Sequence, residues 1–270
     1  MVEVTFLGTG DAFSAGRRSN LALLITAPGL RMLVESGPLI MAELARVSRT
    51  PAELDAVFVS HGHGDHVLGF PMLALNRNAT DAVLNVYAGH STADVLEAVN
   101  LMTYGGLVLR REKLCFHRLS EEESQSIEVL PHVTMHTLPV AHLPGVPTLA
   151  ARWDFAEGVS LTFVTDTSTN PGIAEFARGS DLLIHEANFS ATLQPEANPA
   201  IHYHSTARQA GEIARRASCP RLALVHLGAV GGEHPDVLRE EAGAGRGLDV
   251  VVPEDGQVLR LPASGRTARP

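Results

Sequence analysis

Six residues of the chain, within the stretch SHGHGDHVLGF that runs from Ser60 to Phe70, hold His61, His63, Asp65 and His66. Imidazole nitrogens and a carboxylate crowded into one loop are metal-ligand types. Their mixture suits Zn²⁺, with Mn²⁺ or Fe²⁺ as alternatives. The preceding run Ala56-Val57-Phe58-Val59 reads as a buried strand that Ser60 ends. His61 and His63 then leave a tight loop on one side, spaced so that both imidazoles reach one ion. Gly62 and Gly64 let the backbone turn closely around it. Asp65 and His66 point the other way, towards a second ion.

One loop cannot complete two sites, so further ligands are expected downstream at strand ends. His142 follows the run Thr134–Val140 and precedes Pro144-Gly145, Asp166 ends the run Leu161–Thr165 within TDT, and His226 follows Leu222–Val225 within VHLG. Each is a polar residue at the end of an apolar strand, where loops converge and sites form.

The elements that must position these residues are strands interleaved with helices. Strand-like runs are expected at Val2–Leu7, Leu21–Thr26, Arg31–Glu35, Ala56–Ser60, Leu84–Ala88, Ile127–Leu130, Thr134–Val140, Thr148–Trp153, Leu161–Thr165, Leu182–Glu186 and Leu222–His226. Helices are expected over Leu39–Val47, over Thr92–Leu101 with Ser91 as N-cap, and over Thr206–Ala217 with Ser205 as N-cap. Trp153 is expected in the core. With 270 residues, 45% hydrophobic and 19% charged, the chain is long enough to bury a sizeable core. It reads as one domain over 1–262 with a frayed tail from Ala263. The N-terminus MVEVTFLGTG has neither a basic region nor a long apolar stretch, so no signal peptide is expected, and no apolar run is long enough to cross a bilayer. Cys115 and Cys219 are expected to be reduced, buried thiols in a cytoplasmic protein. The formal net charge of −9, with no run of basic residues, disfavours a nucleic-acid partner, since binding a polyanion draws on many Lys and Arg contacts.

In order along the chain, His61, His63, Asp65, His66, His142, Asp166 and His226 resemble the ligand series of the metallo-β-lactamase fold, and the likeness extends from FLGTGDAF to VHLG. The resemblance implies an α/β, four-layer αββα sandwich with a two-metal site on one edge of its two sheets. It implies that His61, His63 and His142 hold one divalent ion, that Asp65, His66 and His226 hold the other, and that Asp166 bridges them. Two ions about 3.5–4 Å apart can share a hydroxide, lower its pKa towards neutrality and stabilise charge on the attacked centre.

LLIHEANF (Leu182 to Phe189) and HYHSTARQAGEIA (His202 to Ala214) resemble paired signatures of the ribonuclease Z branch. That likeness implies that His204 donates a proton to the leaving oxygen and that Glu186 orients it. With Asp65, which is also a ligand, they make up the candidate catalytic set. A positioned imidazolium is worth roughly 10²–10⁴ in rate. His202 reads as a neighbour, and His90, His117, His132, His136, His185 and His234 as structural or solvent-facing. Gly8 to Asp11 reads as a plain turn ahead of a phosphate loop. Glu35-Ser36-Gly37 stands where the family usually has Asp-x-Gly, so an extra methylene must be accommodated. Between His142 and Asp166 there is no room for the long arm that grips tRNA in the bacterial ribonuclease Z form. A dinuclear hydrolase of a small phosphodiester is therefore the leading expectation. The alternatives are tRNA 3′-end processing and hydrolysis of a lactone, thioester or sulfate ester. A homodimer is expected from the habit of relatives. Diiron oxidoreductases of this fold carry glutamate in place of the loop's second histidine, here His63. Binding modules tend to lose ligands, and none is lost here.

Overall fold

Strands whose two faces are both buried read as near-continuous apolar runs, and the computed structural model shows what covers each face. It describes residues 1–108, 111–243 and 247–262; the tail from Ala263 lies outside them. The first half holds β1 (Val2–Gly8), β2 (Ala22–Ala27), β3 (Leu30–Val34), β4 (Ala56–Val59), β5 (Leu84–Gly89) and β6 (Leu114–Leu119). Then come β7 (Gln125–Leu130), β8 (Val133–Val140), β9 (Thr148–Phe155), β10 (Ser160–Val164), β11 (Leu182–Glu186), β12 (Arg221–Val225) and β13 (Asp249–Val251). A last strand, β14 (Val258–Leu261), returns to pair antiparallel with β1. One sheet has the order β14-β1-β2-β3-β4-β5-β6 and the other β13-β12-β11-β10-β9-β8-β7.

Alternation sorts the side chains. Phe6, Ile25 and Phe58 of the first sheet meet Trp153, Phe163 and Ile184 of the second in the core between the sheets. The edge of Phe58 packs on Trp153, with rings 5.8 Å apart at 90°. Leu24, Val57 and Val59 point outward to α1 (Ile40–Arg46), α2 (Gly64–Val67), α3 (Phe70–Asn76) and α4 (His90–Val108). Leu183 and Leu224 point outward to α5 (Pro171–Phe176) and α6 (Ala207–Arg216), with the short helices α7 (Ala229–Glu233) and α8 (Pro235–Glu241) beyond. The result is the expected helix–sheet–sheet–helix sandwich.

Strand direction decides where a site can form. β3, β4 and β5 run parallel, as do β10, β11 and β12. β8 and β10 each pair antiparallel with β9, so they share a direction. The carboxyl ends of β8, β10, β11 and β12 therefore open on one edge, where loops and ligands collect. A hydrogen bond from Leu149 N to Ser60 O (3.0 Å) ties the end of β4 to that edge.

Several expectations need correction. Ser91 lies inside α4, where its N–H and hydroxyl donate to Glu121. Ser205 is not the cap of α6. Thr206 is, through a capping box with Gln209, and the Ser205 hydroxyl donates to the Thr167 carbonyl instead. Cys115 is exposed, because alternation on β6 turns it outward; Cys219 is buried. Strand β3 stops at Val34, because Glu35 takes a left-handed conformation (φ 67°). Strands β6, β13 and β14, and the short helices α2, α3, α5, α7 and α8, were not anticipated. Among the described residues, no helix is long and apolar enough to cross a membrane.

Trp153 is fully buried between the sheets. Trp153→Ala is expected to lower stability by about 3–5 kcal/mol through the cavity it leaves, measured by denaturant unfolding. A loss below 1 kcal/mol would show that the sheets do not depend on it.

Candidate metal centre and active site

The ligand loop begins where β4 ends. His61 is fully buried, and its Nδ1 lies 2.9 Å from the Ser60 hydroxyl. His61 Nε2 is 3.0 Å from His63 Nδ1, and His142 Nε2, beyond the end of β8, is 3.3 Å from the same nitrogen. His142 Nδ1 faces the Tyr203 carbonyl at 3.2 Å. A carbonyl only accepts, so the proton sits on Nδ1 and the Nε2 lone pair points into the cluster. Burial favours the neutral form of His61, His63 and His142 and lowers the pKa of each. Three imidazole lone pairs converging in this way repel one another unless a cation lies among them.

The second cluster is more acidic. Asp65 and His66 sit in α2, with Asp65 Oδ2 lying 3.0 Å from His66 Nε2 and 3.5 Å from His226 Nε2. His66 Nδ1 lies 3.2 Å from Glu35 Oε2. Both His66 ring nitrogens are buried and near carboxylates, yet out of line for a hydrogen bond. Burial opposes charge on His66, but Glu35, Asp65 and Asp166 outweigh it and raise its pKa.

Asp166 stands between the clusters, just past the end of β10. Its Oδ2 lies 3.8 Å from both His61 Nε2 and His142 Nε2, and its Oδ1 lies 3.3 Å from His226 Nε2 and 3.6 Å from His66 Nε2. The Thr165 hydroxyl donates to Oδ1 at 2.7 Å. Burial disfavours its charge, yet His226 and His66 hold it well below the usual carboxylate range. Candidate ligand atoms of His61, His63, His142 and Asp166 lie within 4.8 Å of one another, as do those of Asp65, His66 and His226. The nitrogen and oxygen donor set, with buried donors lacking protein partners, fits two divalent cations.

The loop is clasped from below. Ser36 N donates to His66 O (2.9 Å) and Gly69 N to Ser36 O (2.8 Å). A Cβ on Gly37 would come within 2.0 Å of Asp65 O, and one on Gly69 within 2.1 Å of Gly37 O. Only glycine permits that approach. Both Glu35 carboxylate oxygens accept from Ser60 N, at 3.3 and 3.4 Å, so its longer side chain reaches both ends of the ligand loop.

Beside the clusters lies the Glu186–His204 pair. Glu186 is fully buried at the end of β11. Its Oε1 accepts from Thr167 N (2.9 Å) and Ser205 N (3.1 Å), and its Oε2 from Asn188 N (3.1 Å). His204 Nδ1 donates to Oε1 at 3.0 Å, and its ring stacks on His226 with centroids 5.5 Å apart. Burial works against the imidazolium, but Glu186 overcomes it and raises the His204 pKa to about 9. His204 lies before α6, not at its first turn, and follows Tyr203 in the left-handed region (φ 57°).

All nine expected site residues therefore meet at one edge. Tyr203, whose carbonyl fixes the His142 tautomer, was not anticipated, since a backbone contact leaves no mark on residue type. Nor was Asn188, whose amide lies 3.4 Å from His226 Nδ1, although it stands in the same stretch as Glu186. His202 lines the rim, and His185 is buried with Nδ1 2.8 Å from a backbone carbonyl. Gly8 to Asp11 forms the end of β1 and a turn, with Asp11 on the cavity wall.

A family model described as Beta-lactamase superfamily domain matches residues 30–227. Ribonuclease Z of Halorubrum lacusprofundi is 27% identical, with 97% of each chain covered. Ribonuclease Z of Bradyrhizobium sp. is 30% identical, covering 87% of this chain and 92% of that one. Among solved structures, the metallo-beta-lactamase fold protein YhfI from Bacillus subtilis superposes with a TM-score of 0.79 at 23% identity, covering 96% of this chain and 98% of that one. The chain belongs to the beta-lactamase superfamily, on the branch that holds its ribonuclease Z relatives, and is a metal-dependent hydrolase.

Proposed function

We propose that the protein hydrolyses a phosphodiester, with residues 1–262 acting as one catalytic unit. The observation that carries this reading is the placement of His204, hydrogen-bonded to Glu186 and stacked against His226. Expelling an alkoxide from phosphorus requires a proton at the leaving oxygen, and an imidazolium beside the ligand clusters can deliver it. His61, His63, His142 and Asp166 would hold one cation, and Asp65, His66, His226 and Asp166 the other. Zn²⁺ suits the donor set best, with Mn²⁺ or Fe²⁺ next. Bound there, two cations supply Lewis acidity and an acidified water. Glu186 is a positioning residue: its other hydrogen bonds, to three backbone N–H groups, fix the angle at which it presents His204. Asp65 has a double place, as a ligand and as an acceptor next to the reacting centre.

A second reading is cleavage of an RNA, favoured by relatives named ribonuclease Z. Between His142 and Asp166 the chain has room only for β9, β10 and their connections, which supports a small substrate over one that needs a gripping arm.

Metal analysis of the purified protein is expected to give about two ions per chain. Chelation should abolish cleavage of bis(p-nitrophenyl) phosphate, and Zn²⁺ or Mn²⁺ should restore it; an active metal-free protein would end the dinuclear reading. On a diester with an alkoxide leaving group, His204→Ala is expected to lower kcat by roughly 10²–10⁴ with metal content unchanged, whereas Asp166→Ala should lose the metal itself. Equal metal loss from both variants would refute this division of roles. A precursor tRNA cleaved at its 3′ end with a higher kcat/KM than the small diester would favour the RNA reading.

A further inference from the structure

Above the ligand clusters opens a cavity of about 410 Å³. Its floor is polar, and its rim carries apolar side chains beside Asp11 and His202. Phe13 is 87% exposed, Ile201 65% and Leu143 39%, and all three line this cavity. Single exposed apolar side chains are ordinary on a protein surface. Three of them from three separate segments gathered at one mouth mark a recognition surface.

The segment that presents Phe13 is built rather than loose. Phe13 N donates to Asp11 Oδ1 at 3.0 Å, and Asn20 Nδ2 donates to the carbonyls of Asp11 and Ala12 at 3.0 and 3.2 Å. Ile201 is carried by the turn Pro199–His202, where Ile201 N donates to Asn198 O at 3.2 Å. Behind them Phe189 stacks on His202, with rings 5.5 Å apart at 25°.

Charge points the same way. Among the described residues, none lining the cavity is Lys or Arg, although gripping a chain of phosphates takes several such contacts. The ligand clusters at the floor suit an anionic group, and what extends from that group towards the rim meets Phe13, Leu143 and Ile201, with Asp11 and His202 beside them. A flat aromatic substituent matches the Phe13 ring and the two aliphatic side chains beside it.

We propose that Phe13, Leu143 and Ile201 form an apolar clamp that selects a phosphate ester carrying an aromatic substituent. The clamp rests on the phosphodiester reading for the group held at the floor, and it is tested without turnover. Zinc-loaded protein is titrated calorimetrically with phenylphosphonate and with methylphosphonate. Phenylphosphonate is expected to bind about tenfold more tightly. In a Phe13→Ala/Ile201→Ala variant, which alters only exposed side chains, that ratio should fall below about threefold. Equal affinities in the unaltered protein, an unchanged ratio in the variant, or binding of neither phosphonate would overturn the clamp. Absence of bis(p-nitrophenyl) phosphate hydrolysis with the tenfold ratio intact would remove the proposed reaction and support the clamp.

Discussion

The carboxylate of Asp166 makes one site out of two. It is buried and ionised, a state that costs several kcal/mol unless opposite charge or donors surround it. Oδ2 faces His61 and His142, and Oδ1 faces His66 and His226. His61 and His66 come from the first sheet and its connections, whereas His142 and His226 come from the second. No single sheet can satisfy this carboxylate. The apolar core between the sheets is thus also what sets the distance between the two ligand groups.

Different chemistry supports each cluster. Around the first, neutral groups act: the Ser60 hydroxyl orients His61 and the Tyr203 carbonyl orients His142. Under the second lies the Glu35 side chain, 3.2 Å from His66 Nδ1. Two of these supports, Glu35 and Tyr203, and the ligand His226 sit in strained backbone. Glu35, Tyr203 and His226 all have positive φ, at 67°, 57° and 51°. Each such residue costs on the order of 1 kcal/mol and persists only where its surroundings hold it. Glu186, fastened by backbone N–H groups on both oxygens, is part of what holds that region.

The ligands were readable in the sequence because each combines a distinctive residue type with a local context: an apolar run, then His or Asp. The sandwich was readable for the same reason, since runs buried on both faces need covering layers. What stayed hidden depends on conformation rather than type. Tyr203 contributes a carbonyl, and Glu35 contributes reach from a left-handed turn. Strand β6 was missed because His117 and Arg118 interrupt its apolar pattern, and β13 and β14 because they are short. The α6 cap was misassigned between neighbouring hydroxyl residues, although Gln209, three residues after Thr206, carries the signal that separates them.

Net charge and local charge lead to opposite expectations here, and the local one governs chemistry. The chain carries −9 overall, which repels polyanions at long range. Yet the ligand set offers five imidazoles against only two carboxylates, Asp65 and Asp166. Two divalent cations held among those groups would leave the centre net positive, and a protonated His204 would add charge beside it. Glu35 lies beneath the loop and Glu186 is spent on His204 and backbone donors, so neither cancels that field at the cavity. An acidic protein with a small cationic floor attracts one anionic group at contact distance, where screening by salt is weakest. Beyond the floor the wall carries Phe13, Leu143, Phe189 and Ile201 beside Asp11, Asn188 and His202, and among the described residues none of it is Lys or Arg.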